Sequence, residues 1–423
     1  MINIVGDHAT YHLKYNAPLT SDLDTLAKSS SDWVGRSKTV EDICDLGNEA
    51  WHTANQEPGQ ITTLIVPADC AWSDFKGNIP SPLKKIEPAK IDDSLVPKSI
   101  DILKKENSIL FIGAKFLTEE CIKLAGNISS ATGCRIVTDT FVSRIRRGAG
   151  LPMVEQVPYF SEIAEEFLKN TSGAIFIGSN PPVSFFAYPN KKSYLLPDET
   201  TILNLCSPEQ DGFLALQALS DECGNSTINK NLIQNGIIEI PKTGKLDPIS
   251  IGPLISGLMP ENAIVSDEAA TSSLFVTPHT LMAKPHDWLA LTGGSIGQGL
   301  PLAVGAAIAK PDRPVITLHG DGGAMYTIQA LWTQARESLN ITNIIFANNS
   351  YEILKIELDR VGAVKTGERA ESMLSLEDPT IDWIQLSKSM GVPSFAPSSV
   401  EEFTKVFLHS VKESGPSLIV INL

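Results

Sequence analysis

Two short stretches near the C-terminus place oxygen-bearing residues where an α/β protein presents them to a ligand. "VITLHGDGG" (315–323) runs from an apolar stretch, Val315 to Leu318, into a glycine-rich turn with one aspartate, Asp321. "NIIFANNS" (343–350) runs from Ile344–Ala347 into Asn348 and Asn349. Ligands of open α/β sheets sit beyond the carboxyl ends of strands. If the two apolar stretches are neighbouring strands, these side chains converge. A carboxylate and an amide carbonyl are hard donors, suited to magnesium and not to zinc. Magnesium takes one or two carboxylates and completes its octahedron with water and phosphate oxygens. This pair is therefore short of ligands unless a diphosphate joins it. Gly320, Gly322 and Gly323 let backbone N–H groups approach such an anion, and a helix expected to begin near Tyr326 would turn its positive end there. Singly, each motif reads as a turn or a strand terminus. Together, with 25 residues separating Gly322 from Asn348, they point to a magnesium diphosphate site.

The elements that must hold these residues fall into three α/β blocks. Residues 1–76 open on "MINIVG" and close on "ITTLIVPAD"; residues 77–97 carry prolines and no apolar period, and read as a linker. Residues 98–225 alternate strand-like and helix-like stretches, "SILFIGAK", "TEECIKLAGNISSATG", "CRIVTD", "GAIFIGSN". Residues 245–423 repeat that grammar and contain both motifs. The alternation implies parallel sheets with helices on both faces. With 34 Lys plus Arg against 49 Asp plus Glu, the net charge of −15 argues against nucleic acid. Six scattered cysteines with no CxxC pair read as reduced thiols in the cytoplasm. No apolar run reaches the length that spans a membrane.

GDG followed at this interval by NN resembles the thiamine diphosphate motif of the 2-oxo-acid decarboxylase and acetolactate synthase superfamily, and the resemblance covers essentially the whole chain. "LTGGSIGQGLPLAVGAAIA" (291–309) is similar to that family's glycine-rich segment, and "PTIDWIQLSKSMGVPSFAPSSVEEF" with "GPSLIVINL" to its C-terminal domain. The resemblance implies three doubly wound parallel-sheet domains: a pyrimidine-binding domain (1–76), a central domain (98–225) and a diphosphate- and magnesium-binding domain (245–423). It implies thiamine diphosphate and magnesium, with Asp321 and Asn349 ligating through side chains and Tyr351 through its carbonyl. Gly320, Gly322 and Gly323 would lie beside the diphosphate. "SDEAATSS" resembles the loop on its other side, which assigns Glu268, Ala269, Ala270 and Thr271 to cofactor binding. In "GGSIG", Ile296 takes the place of the bulky apolar residue that bends the cofactor, and Gly294 that of the carbonyl receiving its amino group. The bend sets that nitrogen against the thiazolium carbon, so the bound cofactor can take carbon dioxide from a 2-oxo acid. Without the family, Ile296 reads equally as a core residue.

The chain also departs from the pattern. The family's activating glutamate lies in the first domain, upstream of the region that "GDHATYH" resembles, and serves the partner subunit's cofactor. Here Met1 stands directly before "INIVGDHATYHLKYNAPLTSD", and no acid within 1–76 matches; Glu41 and Glu49 sit in an amphipathic surface pattern. The expectation is an incomplete first domain and an N-terminally truncated chain that binds cofactor poorly. Loss of a positioned acid/base costs about 10²–10⁴ in rate.

The leading reading is an acetolactate-synthase-like enzyme of branched-chain amino-acid biosynthesis. It would decarboxylate pyruvate or another 2-oxo acid and join the fragment to a second one, as a homodimer or tetramer with shared active sites. The runner-up is a benzoylformate-type decarboxylase, and a third reading is a non-catalytic cofactor-binding fragment. "FIGSNPPVSFFAYPNKKS" (176–193) is closer to benzoylformate decarboxylase than to the "RFDDR"-like segment of the FAD-carrying synthases, which argues against FAD. His8 and His12 lack a third metal ligand and either line the substrate side or do not; His286 faces the pocket or a surface loop. Arg144, Arg146 and Arg147 touch a nucleotide in the central domain or form a solvated or domain-bridging patch.

Overall fold

The computed structural model describes residues 1–84, 86–363 and 367–423. The chain divides into two compact bodies, Met1–Asp92 with Cys206–Leu214 and Asp93–Leu205 with Ala215–Leu423. The first body holds three parallel strands, β1 (Ile2–Asp7), β2 (Trp33–Arg36) and β3 (Thr62–Pro67), in the order β1-β3-β2. β3 is central and buried along its whole length. Leu64 and Val66 pack there with Cys70 and with Ile43 and Leu46 of the helix Ile43–Ala54.

The second body contains two sheets. β4 (Ile109–Ile112), β5 (Arg135–Thr138), β7 (Glu155–Gln156), β8 (Gly173–Ile177) and β9 (Thr201–Cys206) form one, in the order β7-β5-β4-β8-β9. Between β5 and β7 the chain makes β6 (Ile145–Arg147), which leaves this sheet for the other. The larger sheet adds β10 (Ile264–Glu268), β11 (His286–Ala290), β12 (Val315–Gly320), β13 (Ile341–Ala347), β14 (Ser394–Phe395) and β15 (Ser417–Asn422), in the order β14-β15-β13-β12-β10-β11-β6. Its pairings are parallel except for the edge, where β6 runs antiparallel to β11 with Arg147 opposite His286. The architecture is α/β, as the alternation predicts.

Local chemistry explains these elements. β4 "ILFI" and β13 "ITNIIFA" are buried throughout, as continuous apolar runs are in parallel strands covered on both faces. Thr118 caps the helix Glu119–Thr132 by accepting from Cys121 N, and Gly133 ends it at φ +82°. Asp247 opens the helix Pro248–Leu258 in a reciprocal capping box with Ser250. Along one face of the larger sheet, beneath the helix Gly299–Ala309, Ile264, Val315 and Ile341 pack with Ala303, and Ile345 and Leu418 pack with Leu300, Leu331 and Trp383. Asn343, fully buried on β13, satisfies its amide with Thr317, Gln334 and the Ser417 carbonyl.

The helix expected from Tyr326 takes a different form. A four-residue helical turn, Asp321–Ala324, follows β12 directly, and the longer helix starts only at Ala330. Residues between them are drawn to the glycine-rich segment, where the Thr327 hydroxyl donates to the Gly297 carbonyl. Among the described residues no helix is long and apolar enough to cross a membrane. All six cysteines are thiols.

Candidate functional site at the strand tips

β12 lies between β13 and β10, so three carboxyl ends meet. Gly320 stands opposite Phe346, and His319 opposite Glu268. Asp321 is the first residue beyond β12 and is 2 % exposed. Its Oδ1 accepts from Gly322 N at 2.8 Å, and its Oδ2 from Asn349 N at 2.6 Å. One carboxylate therefore ties the two motifs together. Asn349 sits at φ +54°, in the left-handed region that asparagine tolerates better than most residues. Its carbonyl accepts from Leu376 N, and Tyr351 N donates to the Leu374 carbonyl, so segment 374–376 braces the turn. The Asn348 side chain closes a local turn by accepting from Ser350 N. Tyr351 lays its ring over Gly322, and its carbonyl accepts from Leu354 N at the start of the helix Glu352–Arg360.

Burial pushes the Asp321 carboxyl above its ordinary range, against the pull of the amides of Asn349 and Gly322. An ionised carboxylate offers about four lone-pair sites, and two are used. The remaining two, on a buried anion that its surroundings do not fully compensate, fit a divalent cation. Above the turn the backbone is open: a Cβ on Gly320 would meet nothing closer than 3.9 Å, and one on Gly294 nothing within 4 Å. The open space is at Gly320 and Gly294; a Cβ on Gly322 would meet the Tyr351 ring and one on Gly323 would meet His319.

The glycine-rich segment reaches the same place. Gly293 and Gly294 both adopt φ +63°, and the Gly294 carbonyl accepts from Ile296 N at 3.0 Å. Ile296 is 53 % exposed, which removes the core reading. Ala269 is buried, while Ala270, at φ +49°, turns the chain away from β10 into a short helical turn that includes Thr271.

Glu268 does something the sequence did not disclose. It is 7 % exposed, and its carboxylate accepts from the amides of Gly297 and, at 2.6 Å, Gly299. His319 Nε2 stands 3.1 Å from Oε2, at ion-pair distance but without hydrogen-bond alignment. Burial alone would raise this carboxyl; His319 and the two amides outweigh it and hold the group below its usual range. The Ala269 amide is likewise taken, donating to Asp267 Oδ1 at 3.1 Å.

His8 and His12 belong to the first body, rings 5.4 Å apart. Among the described residues no cluster of three His, Cys, Asp or Glu could hold a metal. His286 is fully buried on β11, with Nδ1 on the Lys284 carbonyl at 2.8 Å, and faces neither a pocket nor a surface loop. The arginines bridge: Arg144 and Arg313 pair with buried Asp287 at 2.9 and 2.6 Å, and Arg146 lies 3.8 Å from it. Arg147 stacks over Trp288 and donates to the Thr277 carbonyl. Cavities of about 490 Å³ beside β1 and about 530 Å³ beside Lys355 and Glu371 contain no predicted site residue. The strand tips form an open shelf instead.

Residues 268–421 match the family described as thiamine pyrophosphate enzyme, C-terminal TPP binding domain. The chain is 40 % identical over 420 residues to the Mycobacterium tuberculosis protein provisionally named acetolactate synthase large subunit IlvX, covering 99 % of this chain and 80 % of that protein. It is 29 % identical over 178 residues to the benzoylformate decarboxylase of Pseudomonas aeruginosa, 42 % of this chain and 32 % of that one. Among solved structures, a thiamine diphosphate-dependent 4-hydroxybenzoylformate decarboxylase from Rhodococcus jostii superposes with a TM-score of 0.82 at 22 % identity, over 100 % of this chain and 82 % of that one. The benzoylformate decarboxylase of Polynucleobacter necessarius gives 0.81 at 19 % identity, over 100 % and 81 %.

Proposed function

This chain belongs to the thiamine diphosphate-dependent enzymes, and from that membership we propose that it decarboxylates a 2-oxo acid, pyruvate first among those to test, and joins the product to a second one. The observation that carries the reading is the Asp321 carboxylate, which spans two adjacent strand ends and keeps free lone pairs for a cation. In this reading Asp321 and Asn349 hold magnesium by their side chains and Tyr351 by its carbonyl. Gly320, Gly322 and Gly323 lie beside the diphosphate, and the loop Glu268, Ala269, Ala270 and Thr271 lies on its other side. Ile296 supports the bent cofactor from below, and the Gly294 carbonyl accepts its amino group. When bound, thiamine diphosphate supplies the carbanion and the electron sink for decarboxylation. The protein contributes the bend, the charge at the diphosphate and an apolar shelf that sheds water.

That shelf needs a cover. Ile296, Met325, Tyr326 and Trp332 are 53, 41, 60 and 53 % exposed, and large exposed apolar groups of this kind mark interfaces. A second copy of the chain, in a homodimer or tetramer, is the cover this reading assigns.

FAD is doubtful in this reading, because "FIGSNPPVSFFAYPNKKS" is closer to benzoylformate decarboxylase than to the segment of the FAD-carrying synthases. The likeness to benzoylformate decarboxylases supports a second reading, simple decarboxylation to an aldehyde. Incubation with pyruvate separates the two: acetolactate supports carboligation, and aldehyde alone defeats it. For the site, calorimetry with thiamine diphosphate should show binding that requires Mg²⁺ and is abolished in Asp321→Ala. Unchanged binding in that variant would overturn the ligand assignment.

A further inference from the structure

Resting on that reading of the site, we propose that Glu268 is a positioning residue for the ring end of the cofactor. It fixes the glycine loop 293–299 in the shape that presents Ile296 and the Gly294 carbonyl, and its side chain does not touch the diphosphate. Three observations lead there. First, the carboxylate is committed: Oε1 holds Gly297 N and Oε2 holds Gly299 N, residues 29 and 31 positions along the chain. A carboxylate so occupied has no reason to approach a second anion, which would repel it.

Second, the loop has little else to hold it. Gly293, Gly294 and Gly297 adopt φ of +63°, +63° and +93°, and the loop lies outside the strands. Its other side-chain anchors are neutral: the Thr327 hydroxyl on the Gly297 carbonyl, the Ser266 hydroxyl on the Gly299 carbonyl and the Gln298 amide on the Ala290 carbonyl. Charge-assisted bonds are roughly twice as strong as neutral ones, so Glu268 dominates. Third, the neighbours are shaped around it and His319. A Cβ on Gly299 would come within 2.9 Å of His319 Cδ2 and 3.1 Å of Glu268 Cβ, and one on Gly323 within 3.0 Å of His319 Cε1 and 3.2 Å of Glu268 Oε1. Glu268 and His319 together thus stand between the loop that faces the rings and the turn that faces the diphosphate.

The loop and the turn can be probed separately with two ligands, thiamine diphosphate and magnesium pyrophosphate, each titrated by calorimetry into the wild-type chain and Glu268→Gln. Glutamine keeps the shape but has one acceptor oxygen for two amides. Its affinity for thiamine diphosphate should fall by about tenfold or more, while pyrophosphate affinity stays within about twofold. Equal loss of both ligands, or loss of neither, overturns the inference while leaving the functional reading intact. Failure of the wild-type chain to bind thiamine diphosphate overturns both. A measurement on the wild-type protein alone covers the case in which the variant does not fold. The Gly297 and Gly299 amides should resist hydrogen exchange without any cofactor, and exchange at free-peptide rates would sink the assignment.

Discussion

A methyl group on Gly322 would stand 2.5 Å from Tyr351 Cε1, too close for any carbon pair. Tyr351 is held at its own amide by the Leu374 carbonyl, so the ring cannot swing clear without disturbing the brace behind Asn349. Gly322→Ala is therefore expected to cost about 1–3 kcal/mol of stability, as overpacked sites do. The midpoint of thermal unfolding should fall, and magnesium-dependent cofactor binding should weaken with it. A variant as stable as the parent would mean that the ring is free to move. The proximity of Asp321 and Asn349 was legible in the sequence because each lies just beyond an apolar strand, so topology alone brings them together. Glu268 was named only through the resemblance, and its hydrogen bonds were not legible. Nothing local to "SDEAATSS" reveals that its carboxylate is spent on amides 29 and 31 residues away.

The helix Glu352–Arg360, which starts at Tyr351, is anchored at its far end. Arg360 makes a two-pronged ion pair with Glu162 at 2.6 and 2.7 Å and lies over the rings of Phe160 and Tyr188. Glu357 accepts from the hydroxyls of Tyr159 and Tyr188, both at 3.1 Å. The Arg360 guanidinium holds the Glu162 carboxyl down at about 2, against an ordinary 4.5. A depressed carboxylate stabilises the fold above its unfolded value, and that stabilisation is lost as the pH falls from about 4.5 to about 2. Glu162 is partly exposed, so the effect is modest. Hydrogen exchange in the helix 352–360 should accelerate across that window in the parent, and less so in Glu162→Gln. Identical profiles would show that the pair does not hold the helix. Elements such as this helix follow from the apolar pattern, whereas its anchorage depends on side chains nearly 200 positions apart. The displaced start of the helix after Asp321 has the same origin, since it answers to the distant Gly297 carbonyl.

At the scale of the molecule, the alternation of apolar stretches was enough to read parallel α/β sheets. It could not reveal that β6, a three-residue piece from the middle of the chain, crosses to the edge of the larger sheet. Short strands carry almost no periodic signal, and their partner is chosen by long-range contacts. Beside that edge, burial drives the His286 imidazole down to about 4 from an ordinary 6.5. The folded chain resists the proton that the unfolded chain takes up, so stability should decline as the pH falls from about 6.5 to about 4, by on the order of 3 kcal/mol. Thermal unfolding across this range should show the slope in the parent and a flatter one in His286→Gln. A parent whose midpoint is level there would exclude His286 as the titrating group.

The borrowed strand β6 also bears on any attempt to dissect the protein. Expressed alone, residues 245–423 would expose the outer edge of β11 as a row of unpaired amides and carbonyls, the template on which chains zip together. Asp287 would keep Arg313 and lose Arg144 and Arg146, leaving a buried anion under-compensated at the same seam. The half that carries the family's motifs would be prone to clump, and its solubility should return when residues 98–225 are restored.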